Sequence, residues 1–185
     1  RSYARTLADI QFLTKSDQPI YSGIGKIMAA YLSQMLTDLH GDVPFSEALK
    51  GAIEDGSILT PKFDDPEDIY AALQTLLDEG ISEIHETGDL VQEPGAEDLI
   101  YEGDLAKWEA FANTIRLKLF VRSGDVAAAK ALMDAGTTFI GAGDDAMMRY
   151  FETAKNTNPL YARFASRIAV GMYYSAAAAS ILYLD

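Results

Sequence analysis

Apolar residues recur at steps of three and four over most of the chain, the spacing of helices that bury one face. Tyr3 to Leu13 reads as the end of a helix carrying Leu7 and Ile10. Ile20, Ile24, Ile27, Met28, Tyr31, Leu32, Met35 and Leu39 then predict one long buried helix. Asp17 is its expected cap, and Pro19 lies in the first turn, where a missing N–H does no harm. Gly41 and Pro44 stop it, a short turn is expected at Ser46 or Glu47, and Lys50–Asp65 reads as a long irregular connection. Asp65-Pro66-Glu67-Asp68 is a cap, a proline and two acids at the positive end of a dipole, followed by the regular stripe Ile69, Ala72, Leu73, Leu76, Leu77, Gly80, Ile81 and Ile84. A polar, acidic loop fills His85–Gly103.

Asp104 caps the next predicted helix, whose apolar stripe is Leu105, Trp108, Phe111, Ala112, Ile115 and Leu119. Its other side carries Lys107, Arg116, Lys118 and Arg122. Gly124 and Asp125 end it and cap a second helix, Val126 to Ala135. Trp108, Phe111, Ala112 and Ile115 fall on the first-helix pattern of a tetratricopeptide unit, and Gly124, Ala128 and Ala131 on its later close-packing positions, so 104–136 is the best such hairpin. The same spacing also suits any amphipathic helical hairpin. After a Gly-rich loop at Gly136–Asp145, whose acids read as an N-cap, a short helix is expected over Ala146–Lys155 and a last helical segment from Leu160. The uncharged run Ile168–Leu184 is rich in Ala, Ser, Gly and Tyr and suits a buried helix better than a membrane span. The expected fold class is therefore mainly all-α: tetratricopeptide-like hairpins joined by long irregular loops, in a single helical region over 1–185.

Composition narrows the chemistry. A hydrophobic fraction of 49% fits a folded chain, and 28 acidic against 15 basic residues give a net charge of −13. Such a chain repels phosphate backbones, which argues against nucleic acid, and it does not dock by charge on anionic lipid. With no cysteine, disulfides, thiolate metal sites and cysteine nucleophiles are excluded. Asp38, His40 and Asp42 lie close in sequence, but their spacing matches no calcium loop or zinc motif, and an ordinary hydrogen-bonded turn is expected. The acids Asp78, Glu79 and Glu83 read as a solvated helix face, not as a glycosidase pair. The Gly-rich loop at 141–145 has no following Lys to hold phosphate. No catalytic residue, cofactor or metal site is expected, so the chain does not read as an enzyme.

Several pieces together resemble the SusD/RagB family: L-T-D-L-H-G-D-V-P-F-S-E-A-L at 36–49, L-T-P-K-F-D at 59–64, D-I-Y-A-A-L at 68–73, L-I-Y-E-G-D-L-A-K-W-E-A-F-A-N-T-I-R-L-K at 99–118 and N-P-L-Y-A at 158–162. The resemblance covers about Ile20 to Ala162 and is to a central, scaffold-bearing portion of longer proteins. It implies a surface-exposed lipoprotein of the cell outer membrane that captures glycan or another nutrient without catalysis. The implied partner is a SusC-like TonB-dependent transporter. It implies attachment to the membrane only through a lipid anchor, which this chain does not carry. Ligand pockets of the family are built largely from variable loops, so Trp108, Phe111 and Asn113 read as packing and helix-contact residues. The candidate ligand-binding residues here are Tyr101 and Phe45, as aromatic platforms, and His40, all in the loops around 40–45 and 98–102. Loop aromatics beside helix ends also serve as buried staples. The alternative function is a helical-repeat scaffold that binds a protein partner on a concave face.

Overall fold

The computed structural model describes residues 2–51, 58–151 and 157–158. Among these the regular elements are five helices: α1 (Ser2–Leu13), α2 (Pro19–His40), α3 (Pro66–Ile84), α4 (Leu105–Ser123) and α5 (Val126–Asp134). All belong to one compact unit, Arg1–Met147; of a second unit, Met148–Asp185, residues 148–151 are irregular. The all-α expectation holds, with a single isolated bridge, Val43 to Asp64, as the extended pairing seen among the described residues.

Local chemistry sets most helix ends. Asp65 accepts a hydrogen bond from the Glu67 N–H at 2.9 Å, Asp104 from Lys107 at 3.2 Å, and Asp125 from Ala128 at 2.9 Å, each meeting an amide that the first helical turn leaves free. Gly124 ends α4 in the left-handed conformation at φ +76°, where a side chain would be strained. The start of α2 differs from expectation. Its cap is Gln18, which makes no side-chain capping bond, and not Asp17; the Ser16 hydroxyl instead accepts the Gln18 N–H at 3.1 Å. Pro19 in the first turn has no N–H of its own to satisfy, which reduces the need for a cap.

The helix expected over Ala146–Lys155 is absent from its described part, 146–151. The preceding loop is occupied otherwise. Asn113 on α4 donates to the Thr138 carbonyl at 3.4 Å, the Ile140 N–H to the Thr114 hydroxyl at 3.0 Å, and Lys107 pairs with Asp144 at 3.3 Å. The chain thus runs back along α4, and Asp144 serves that contact, not a helix cap. The run Ile168–Leu184 and the segment from Leu160 lie outside the described residues. Among the described residues no helix is long and apolar enough to cross a membrane.

The core is the meeting of the predicted stripes. Ile20, Ile24 and Ile27 of α2 pack with Ile69, Leu73, Leu77 and Ile84 of α3 and with Trp108, Ala112, Ile115 and Leu119 of α4. Trp108 is 1% exposed. On α5 the buried alanine is Ala129, whereas Ala131 is exposed. The α2–α3 crossing is close enough that backbones touch: a Cβ on Gly23 would lie 2.7 Å from the Gly80 carbonyl oxygen, and one on Gly80 3.0 Å from that of Gly23. Gly23→Ala is therefore expected to destabilise the protein by about 1–3 kcal/mol through overpacking, although alanine is the better helix former. Gly88→Ala, where a Cβ meets only Val91 at 3.6 Å, is expected to stay within about 0.5 kcal/mol when both variants are compared by urea titration.

Candidate functional site

The two loops that carry the sequence-derived candidates are each built around one carboxylate. In the 41–65 connection it is Asp64, 8% exposed. Its oxygens accept the Phe45 N–H at 3.0 Å, the Ser46 N–H at 2.7 Å and the Ser46 hydroxyl at 2.8 Å, and they pair with Lys62 at 3.0 Å. The Asp64 N–H returns a bond to the Val43 carbonyl at 3.0 Å, which closes the bridge. The Ser46 amide first, then Lys62, hold the Asp64 carboxyl well below the usual carboxylate range. Phe45 is partly buried against the core, and His40 is exposed in the last turn of α2. Asp38 turns away from His40 and Asp42: its oxygens accept from the Tyr70 hydroxyl and the Gln34 amide and pair with Arg122 at 3.0 Å. No group of three His or acidic side chains that could hold a metal is present among the described residues.

In the 86–104 loop the organiser is Asp98. One oxygen accepts the Ile100 N–H at 3.0 Å and the Tyr101 N–H at 3.2 Å. The other accepts the Gly103 N–H at 3.1 Å and the Trp108 indole N–H at 2.7 Å. Gly103, at φ +86°, is required twice over, since a Cβ there would also lie 2.1 Å from the Pro94 carbonyl oxygen. Tyr101 follows from this turn. It is 7% exposed, stands edge-on to Trp108 with ring centres 5.2 Å apart, and donates its hydroxyl to the Asp144 carbonyl at 3.0 Å. Its ring forms a wall of the core instead of an open platform. Burial first, then the nearby acids Asp144, Asp145 and Asp98, push its hydroxyl up to about 12. The loop is also tied to α2, by Tyr21 donating to Glu97 at 2.5 Å and by the Gln92 N–H donating to the Gln18 side chain at 2.9 Å.

The structure therefore places Tyr101 in the core, Phe45 at its edge and His40 at the surface. Sequence reading missed the three aspartates that hold these regions. Asp98 had a local signal, because an Asp whose side chain accepts from residues two and three ahead makes an Asx-type turn. Asp38 and Asp64 had no comparable motif, since the contacts that join them to another segment, Tyr70 and Ser46, lie 32 and 18 residues away. The four bases of α4 are all engaged: Lys107 with Asp144, Arg116 with Asp78 at 3.0 Å, Lys118 with the Gln34 side-chain amide oxygen at 2.9 Å, and Arg122 with Asp38.

The profile of a family described as SusD-like, starch-binding and associating with the outer membrane, matches residues 1–182. Among solved structures, a SusD homologue from Bacteroides fragilis superposes with a TM-score of 0.71 at 22% identity, over 91% of this chain and 37% of that one. A SusD/RagB family protein from Bacteroides thetaiotaomicron gives 0.70 at 23% identity, over 89% and 35%. A chitin-binding protein is 33% identical with a TM-score of 0.61, over 80% of this chain and 31% of that one. The chain thus spans little more than a third of these proteins at most. No curated protein matches the sequence significantly.

Two outcomes are expected of the carboxylates. Asp98→Ala strands four donors and should cost about 3 kcal/mol, given about 1–3 kcal/mol for each buried group left unsatisfied and partial rescue by water. It should also shift the emission of Trp108, the single tryptophan, to longer wavelength. For Asp64 the sign follows from its lowered value: the stability it adds is complete above the ordinary 3.8 and is lost as pH falls below that. Asp64→Asn should therefore lose less stability than the wild type between pH 4 and pH 2 in denaturant titrations.

Proposed function

The chain belongs to the SusD-like family, and from that premise we propose that it is the helical scaffold portion of a protein that binds glycan at the cell outer membrane. The observation that carries this reading is the family match across residues 1–182. A likeness of 33% identity to a chitin-binding protein supports carbohydrate as the ligand class. In this reading the protein captures its ligand without transforming it and passes it to a SusC-like TonB-dependent transporter, held at the surface by a lipid anchor outside this chain. Tyr101 and Phe45 act as anchors of their loops, and His40 is the exposed candidate of the three.

The physical logic fits a binding role. A sugar is recognised by apolar C–H faces set against aromatic rings and by hydroxyls set among fixed polar groups. Both need rigid walls, and a helical core whose loops are fixed by multiply hydrogen-bonded carboxylates supplies them.

Calorimetric titration of the intact protein and of the 185-residue chain with soluble chito- and malto-oligosaccharides tests the proposal. Binding of at least one series by the intact protein is expected. If the intact protein binds neither these nor other soluble glycans, and instead retains a soluble protein partner, the glycan reading is wrong and the scaffold reading replaces it.

A further inference from the structure

We propose that the described unit carries a glycan-contacting cleft of its own, suited to uncharged oligosaccharides, where the start of α3, the end of α4 and the start of α5 converge. This rests on the glycan-binding reading above and locates a contact that no motif of the sequence indicated. The cleft has a volume of about 770 Å³, within the usual range for a small-molecule site. Its walls include Glu67, Tyr70, Gln74, Phe120, Arg122 and Asp125.

That set has the two chemistries a sugar requires. Tyr70 and Phe120, both half-buried, offer aromatic carbon to a C–H face. Gln74, Arg122, Glu67 and Asp125 offer planar donors and acceptors to hydroxyls. The orientation of two of these residues is fixed from outside the cleft, because Asp38 holds both the Tyr70 hydroxyl and the Arg122 guanidinium. Groups held in place before a ligand arrives lose little freedom when it binds. Gln74 donates its amide nitrogen to the Arg116 carbonyl at 3.2 Å, and its buried carbonyl oxygen has no partner among the described residues.

Charge selects the class of sugar. Arg122 is balanced by Asp38, while Glu67 and Asp125 have no ion-pair partner among the described residues. The side chains that line the cleft therefore carry net negative charge, in a chain of net charge −13. A uronate or sulfated glycan is repelled there, and a neutral one is not.

The test is calorimetry on the intact protein with chitohexaose, maltoheptaose and an oligogalacturonide, for the wild type and two variants. Ala71→Arg fills the cleft from an exposed wall position, and Phe120→Ala removes an aromatic wall. Thermal unfolding, read in parallel, reports whether each variant is folded. The wild type should bind a neutral oligosaccharide and not the oligogalacturonide. Ala71→Arg should lose one site per protein or weaken binding at least about tenfold while unfolding at an unchanged temperature. If both folded variants bind the neutral sugar like the wild type, the cleft is not the site, although the glycan-binding function stands. Preferred binding of the oligogalacturonide overturns the charge argument and with it this assignment. If the wild type binds none of the three, both this inference and the function beneath it fail.

Discussion

Contact between two glycines is the constraint on which the helical core depends. At the α2–α3 crossing, Gly23 and Gly80 leave no room for a Cβ on either side, so two backbones meet where side chains would normally separate them. That approach brings the isoleucines of α2 onto the leucines of α3 and leaves the remaining face of both to α4. One turn on, it also carries Lys26 to Glu79 at 2.8 Å and Glu83 at 2.6 Å. Burial works against the charge on Lys26, but hydrogen bonds to the two glutamates outweigh it and hold the ammonium above its ordinary range. The ion pairs thus follow from the helix spacing and do not set it.

Acidic residues, abundant enough to look like mere surface charge, do the organising outside the helices. An ionised carboxylate accepts several hydrogen bonds at once and donates none, so one side chain can gather the free amides of a whole loop. Asp64 does this for 45–46, and Asp98 does it for 100, 101 and 103 together with the Trp108 indole. Asp38 gathers side chains from α2, α3 and α4. In a chain with nearly twice as many acids as bases, 28 to 15, most carboxylates still face water. These three differ in each gathering donors from three or more residues.

What was legible in the sequence was what is local. The caps Asp65, Asp104 and Asp125 act within three residues, and the stripes of α2, α3 and α4 need only a period, so those elements appear where their spacing places them. Asp17 failed because Pro19 and Ser16 offered another solution two residues away. The helix expected from Ala146 is absent from the described part, where one of the two acids expected to cap it, Asp144, is engaged by Lys107 and Tyr101 across the fold. The cleft beside Tyr70 was illegible for the same reason, since its walls come from three helices that no short motif joins. Family likeness carried identity well but said nothing about which side chains stay accessible, and Tyr101, a motif residue, is among the covered ones.

The turn around Asp98 has a consequence for the order of folding. Its hydrogen bonds, including the one to Trp108, join residues no more than ten apart. The ties that fasten the same loop to α2 join residues 74 and 76 apart. Short loops cost less to close than long ones, so the turn and the first coils of α4 are expected to form before α2 is met. When the distant contacts arrive they meet a shaped surface and not a slack chain. An irregular acidic segment is thus ordered mainly by contacts within itself, which suits so long a stretch without helix or strand.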